Sequence, residues 1–421
     1  MPIRPPNIVP NVIQQHVEES AVLRGVRSIL VRAPHVKLHH LRRLDDRLAA
    51  HLDGISIAGE YGRSVCIASL EDPDKGRIFT AAVRAIEDGE PVALHRLLAL
   101  AEAMPELRPG LLSAAGWVSA NFLQGTVRDW LASPGGFQRE LGISACAMHR
   151  VDPGGALEKT LHDPDTRARA RALRCAGESG RRALLAPCLA AADDQDPGCR
   201  LWAARSAVLL GDRDSGIELL DYLASHDMAA RPYALPLLLK LAEPERANAL
   251  LKPLARDPAS IRLLVKGSGA SGDISYVPWL IKQMDDLALA RLAGDAFCLI
   301  TGADLALQDL ERKPPADMES GPNDDPGDDD VAMDEDDGLP WPDSAKLQAW
   351  WHDRQSRFTP GLRYFMGEPV TVAHCRHVLH EGYQRQRIAA SEYLCLLQPG
   401  TSLFPTSAPA WRQERWLRTM G

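Results

Sequence analysis

The 421-residue sequence is poor in aromatic residues, which make up 5% of it. It also has almost no stretch rich in the β-branched and aromatic side chains that favour strands, which argues against a core built on sheets. Its eight cysteines (Cys66, Cys146, Cys175, Cys188, Cys199, Cys298, Cys375 and Cys395) contain no CxxC pair. Scattered over a chain this long, they read as buried thiols in a reducing compartment rather than a disulfide framework. No run approaches eighteen apolar residues, so no membrane span is expected. The opening MPIRPPNIVPNVIQQ has no hydrophobic signal core, and the expected location is cytoplasmic. Positive charge is missing from one place in particular. Between Asp317 and Asp337 stand eleven carboxylates and not one Lys or Arg. The formal net charge of -8 opposes non-specific nucleic-acid binding over the whole surface.

What the sequence has is helix period. In NVIQQHVEESAVLRGVRSILV, Val12, Val17, Val22, Val26 and Ile29 fall near one face. In LHHLRRLDDRLAAHLDGI, Leu38, Leu41, Leu44, Leu48 and Leu52 recur at three- and four-residue steps. Such stripes belong to amphipathic helices that must pack on something. FTAAVRAIEDGEP, VALHRLLALAEAMPEL and LLSAAGWVSANFLQGTVRDWLAS continue the pattern, punctuated by Gly89, Pro105 and Pro109.

From about residue 135 to 302 the pattern repeats every 28 to 35 residues. Each unit is an Ala-, Leu- and Arg-rich helix ending near Gly or Asp, followed by a second helix. Asp163-Pro164, Asp196-Pro197 and Asp257-Pro258 mark comparable exits. A lone helix pair cannot bury both faces, so this spacing predicts stacked helical hairpins, an α-solenoid. The helix WAARSAVLLGD, and likewise ALARLAGDAFCLITG, resembles HEAT-type repeats of the short bacterial kind. RLAGDAFCLITGADL at 291–305, DDGLPWPD at 336–343, WWHDRQSRFTPGLRYFMGEP at 350–369 and APAWRQERWL at 408–417 carry a further likeness over nearly the full length. In these stretches the chain resembles a family of proteobacterial proteins with no established enzymatic activity. Some members of that family look to be encoded near type VI secretion components. The resemblance implies an accessory role in secretion or effector assembly.

The chemistry-bearing motifs are few. Asp328 and Asp330 start a spacing like a calcium loop, but Ala332 and Met333 break it, with no Gly at the sixth position and no Glu at the twelfth. Gly267, Gly269 and Gly272 spell G-x-G-x-x-G, which holds a dinucleotide only between a strand and a helix; inside the repeats it reads as an inter-helical turn. Ser268 lies between two of those glycines without a nucleophile elbow around it. His39, His40, His51 and Asp53, and the denser His374, Cys375, His377 and His380, are the places to test for zinc. In the first, adjacent His39 and His40 point in different directions on a helix, and the second reads more simply as helix surface with one buried thiol. Arg167, Arg169, Arg171, Arg174, Arg181 and Arg182 form a positive group that would suit phosphate contacts, or a solvated face paired with nearby acids.

The expected fold is all-α: a HEAT-like α-solenoid of stacked helical hairpins with an acidic loop and a C-terminal helical cap. Its segments are an N-terminal helical region at 1–56, repeats at 57–309, the acidic loop at 310–338 and the cap at 339–421. The expected function is a protein-binding scaffold or adaptor without catalytic residues, metal or cofactor, its partner another protein such as a secretion component or effector. Candidate contacts are Asp328, Asp329, Asp330, Asp334, Glu335, Asp336 and Asp337 in the acidic run, with Trp341, Trp350, Trp351, Trp411 and Trp416 as aromatic anchors. An enzyme on the same scaffold and a self-assembling structural protein are the alternatives.

Overall fold

Several helices in this chain start at a short polar side chain, and three end at a left-handed glycine. Asp165 accepts a hydrogen bond from the Ala168 amide (3.0 Å), and Asp196 one from Cys199 (2.8 Å) with Pro197 in the first helical position. Asp343 and Thr371 cap two later helices in the same way. Gly180, Gly272 and Gly302 end helices in the left-handed conformation, with φ of 69°, 67° and 71°. The computed structural model describes residues 8–315 and 334–420. Among these it has 22 α-helices and one two-stranded sheet, in which Tyr364–Phe365 pairs antiparallel with Glu368–Pro369. The fold is all-α and made of HEAT-like helical repeats.

Helices form where the sequence period put them. Residues 166–196 give Thr166–Ser179 and Leu185–Ala190, and Pro197–Leu209 follows in the first of two units; in the second, Ser215–His226 packs on Arg231–Leu239, a different pairing from the expected one. Asp-Pro opens helices as well as closing them, since Asp196 is an N-cap. Contacts divide the chain into two compact units. The first comprises residues 1–32, 36–210 and 400–421, and the second residues 33–35 and 211–399.

In the first unit an Arg–Asp ladder links successive repeats. Arg139 holds Asp163 with two bonds (2.5 and 2.7 Å), and Arg169 holds Asp194 the same way (2.7 and 2.9 Å). Each aspartate also accepts the amide two residues on, Asp165 and Asp196, both at 2.9 Å. One carboxylate therefore fixes the turn and the next repeat together. Residues Leu41, Leu44, Leu48 and Leu52 are buried as their spacing predicts. The first helix, Pro10–Leu30, is turned differently from the expectation. Ile13, Val17, Ser20 and Leu23 face the core, while Val12, Val22, Val26 and Ile29 are exposed. The helix has two apolar stripes, and the one carrying Leu23 meets the helix Lys75–Glu87. The carboxy-terminal residues pack in this unit too: the Leu403 amide donates to the Glu178 carbonyl (2.9 Å), and Trp411 lies edge-on to Trp117 at 4.8 Å.

In the second unit the G-x-G-x-x-G stretch is not a turn. Gly267 and Gly269 lie inside the helix Ile261–Ser271, and only Gly272 ends it. The two internal glycines are buried for packing: a Cβ on Gly267 would press on Leu251, and one on Gly269 on Ala296. The helix ends at Gly272 and Gly302 then seat the hairpin segment. The Tyr364 amide donates to the Gly272 carbonyl (2.8 Å), and the Met366 and Gly367 amides donate to Leu299 (2.7 Å) and Ile300 (3.0 Å). Ser268 is fully buried and donates to the Leu264 carbonyl of its own helix.

Candidate protein-binding surfaces

The acidic run is described only at its C-terminal end. Asp328, Asp329 and Asp330, and with them the calcium-loop reading, lie outside the described residues. Asp334 to Asp337 form a turn in which Asp334 accepts the Asp336 amide (2.9 Å), and Gly338 (φ 76°) packs so closely on His35 that it has no room for a side chain. The turn is clamped by bases of its own unit. Arg291 pairs with Asp334 (2.6 Å), Arg262 with Asp336 (2.7 Å) and with Glu335 (3.2 Å), and Lys266 reaches Glu335 at 3.6 Å. The hydrogen bond to Asp336 is the main reason that the Arg262 guanidinium holds its proton above its ordinary value. Asp336 is buried, whereas Glu335 and Asp337 are exposed. Next to the clamp, burial pushes the Asp295 carboxyl up even though Arg385 lies 3.1 Å away.

The five tryptophans fall into two groups. In the second unit Trp341 is buried under Arg291, whose guanidinium sits 4.8 Å from its ring. Trp351 is buried against Phe358 (5.2 Å), while Trp350 is half-buried edge-on to Phe297 (5.7 Å), with Arg354 over it at 4.8 Å. The adjacent pair thus splits between core and surface. The Trp350 indole N–H has no hydrogen-bond partner among the described residues. In the first unit Trp411 and Trp416 are half-buried on the helix Ala410–Thr419, the latter edge-on to Phe404 at 6.4 Å.

The arginine group at 167–182 is largely matched by acids. Arg171 and Arg174 both hold Glu178 (3.0 and 2.7 Å), and Arg181 holds Asp152 and Glu158. Burial pushes the Glu178 carboxyl up, but Arg171, Arg174 and Arg150 outweigh it and keep it at about 2. Among the described residues no three His, Cys, Asp or Glu side chains converge as a metal would require. His374 is engaged by the Phe365 carbonyl (2.8 Å), and burial pushes the Cys375 thiol up to about 12. No helix of the described residues is long and apolar enough to cross a membrane.

Three features escape a reading of the sequence. The receivers of the acidic turn, Arg262, Lys266 and Arg291, lie far from it in sequence; the spacing of four between the first two is the available signal. Tyr222, Met228 and Tyr233 stand 58%, 72% and 60% exposed on or beside the helices Ser215–His226 and Arg231–Leu239. Tyr222 falls off the stripe made by Leu220, Leu223 and Ala224, which marks it as outward-facing. The third is an open groove of about 950 Å³ in the first unit, floored by Leu131, Val151 and Ala156 and edged by Arg128, Lys159 and His162.

Residues 155–231 match a family model of HEAT repeats. That stretch contains the Arg169–Asp194 rung and Tyr222 and Met228. No curated protein and no solved structure matches the chain. HEAT repeats are commonly protein-interaction scaffolds, and a binding role fits.

Proposed function

We propose that this chain is a non-enzymatic scaffold or adaptor that binds another protein. The supporting observation is a run of HEAT-type hairpins on which large apolar side chains, Tyr222, Met228 and Tyr233, stand in water. Exposed tyrosine and methionine on a rigid helix pair supply contact area at little conformational cost. The acidic run adds charge complementarity: exposed Glu335 and Asp337, together with Asp328, Asp329 and Asp330, steer a basic partner, while Asp334 and Asp336 fix the turn. Trp350, Trp411 and Trp416 are the aromatic contacts in this reading, with Trp341 and Trp351 supporting them from within. The sequence resemblance points to a type VI secretion component or effector as the partner, met in the cytoplasm.

The test is purification of the native assembly from cells, followed by rebinding of each recovered protein to the purified chain. A partner that rebinds at about micromolar concentration, and is lost with Tyr222→Glu and Met228→Glu while the helical spectrum is unchanged, is the expected result. Recovery of no protein that rebinds at that level sinks the proposal.

A further inference from the structure

In the first unit, a cavity of about 320 Å³ is lined by four arginines, Arg24, Arg27, Arg32 and Arg412. Among the described residues, one of them has a carboxylate partner: Arg27 donates to Asp45 (2.6 Å), a side chain with no exposed surface. Asp45 is further engaged by the Ala410 amide at 2.7 Å. Arg24 donates to the Ser113 hydroxyl (2.8 Å) and the Pro109 carbonyl (3.0 Å); among the described residues no acid lies within ion-pair distance of it, and Asp74 acts on its charge from farther off. Arg412 is buried and donates to the Gly116, Trp117 and Val118 carbonyls at 2.9, 3.3 and 3.0 Å, where it caps the helix Arg108–Trp117. Arg32 is exposed at the mouth. Burial lowers the affinity of Arg24 and Arg412 for their protons, the latter to about 10, so both charges are held against a desolvation penalty.

Beyond the arginines the lining is mostly apolar, with Ser28, Ser113 and Ser407 among it. Leu112, Met148 and an edge of Trp117 form its reachable apolar side, while Phe79 and Leu48 back it with almost no exposed surface. A cavity with unmatched guanidinium charge on one side and an aromatic and aliphatic wall on the other is complementary to one ligand chemistry. We propose that this cavity binds a carboxylate carried on an apolar stem, the carboxylate meeting Arg24 and Arg32 and the stem lying against Leu112, Trp117 and Met148. A phosphate has the charge but nothing to fill the apolar side, and an uncharged stem leaves the guanidiniums unmatched. Two sources carry this chemistry, a free organic acid and the carboxyl terminus of a polypeptide ending in an apolar residue.

The test is calorimetric titration of the full chain with 3-phenylpropionate, 3-phenylpropionamide and inorganic phosphate, and with a short peptide ending in Phe as free acid and as amide. The acid is expected to bind at one site, with the amide and phosphate each weaker by about tenfold or more. Arg24→Gln lowers the affinity for the acid by about tenfold, and Ser28→Trp, at an exposed position on the mouth, abolishes it. A peptide acid tighter than 3-phenylpropionate assigns the site to a polypeptide terminus; equal or weaker binding assigns it to a free acid. Equal affinity for acid and amide, phosphate as tight as the acid, or no saturation by about 10 mM acid overturns the proposal. Should Arg24→Gln fail to fold, Ser28→Trp decides, because undiminished binding to that folded variant is equally fatal.

Discussion

The two compact units use the same residue types, arginine and aspartate, to different ends. In the first unit the pairs Arg139–Asp163 and Arg169–Asp194 join residues 24 and 25 positions apart, one repeat to the next. In the second, Arg262–Asp336 spans 74 positions, and Arg291–Asp334 brings the same acidic turn onto another helix. The ladder is a repeated device, its two rungs set one repeat apart. The clamp is a single long-range closure that ties an acidic turn to helices made much earlier in the chain. A local rung forms with its hairpin, whereas the clamp must close a long loop first. The sharpest way to break the comparison is to remove one acid from each. Asp163→Ala removes a buried carboxylate, leaving the half-buried Arg139 without its partner and an amide without its acceptor, and should lower stability by about 3 kcal/mol, read from urea unfolding. Asp336→Ala, whose partner Arg262 is more exposed, should lower it by about 2 kcal/mol. In addition, hydrogen exchange should speed up at the 334–339 amides and not in the ladder. Equal losses, or exchange spreading to both units, would erase the distinction.

Titration sharpens the same contrast. Glu178 in the first unit is held at about 2, below its ordinary value of 4.5, by Arg171, Arg174 and Arg150, which outweigh its burial. A depressed carboxyl stabilises the fold above its ordinary value and loses that contribution as the pH falls through 4.5 toward 2. Asp295 in the second unit is raised by burial, so its contribution has the opposite sign: it is present at low pH and lost as the pH rises above the ordinary 3.8. Glu178→Gln should therefore flatten the acid loss by on the order of 2 kcal/mol. Asp295→Asn should steepen the net decline toward low pH by a smaller amount. Unfolding midpoints between pH 2 and about pH 7 check both, and a shared direction for the two variants would show that the carboxyls do not differ as their surroundings require.

How much of this could be read in advance follows from the range of each interaction. The helices between residues 136 and 301 were legible because the apolar period recurs through them, helped at several ends by an aspartate N-cap or a glycine stop. The first helix was legible as a helix but not in its orientation, since Val12, Val22, Val26 and Ile29 compete with Ile13, Val17 and Leu23, and only the neighbour decides. Gly267 and Gly269 read as a turn because glycine disfavours helix interiors. The helix keeps them where neighbours come close: the Ala296 backbone on Gly269 and the tip of the Leu251 side chain on Gly267. The Trp350–Trp351 pair was legible to the extent that adjacent helical residues point apart. The seats on Gly272 and Gly302 were not, because a glycine stop looks the same in sequence whether its carbonyls face water or another segment. The arginine-lined cavity was invisible for the same reason: Arg24 and Arg412 stand almost four hundred positions apart, and nothing in either local pattern announces the other.

The smallest expected effect comes from an arginine that resembles the ladder only on paper. Arg42 pairs with Asp46 (2.8 Å) one helical turn away and with Glu414 (2.9 Å), so it too bridges a local and a distant acid. Its side chain is 40% exposed and those of its partners 54% and 34%, against 17% and 4% for Arg139 and Asp163. Water solvates all three groups when the contact opens, so no charge is left stranded. Arg42→Ala should lower stability by less than about 1 kcal/mol, and by less still in high salt. A loss matching that of Asp163→Ala would mean that geometry alone, rather than burial, sets the strength of these pairs, and the contrast between ladder and clamp would need another cause.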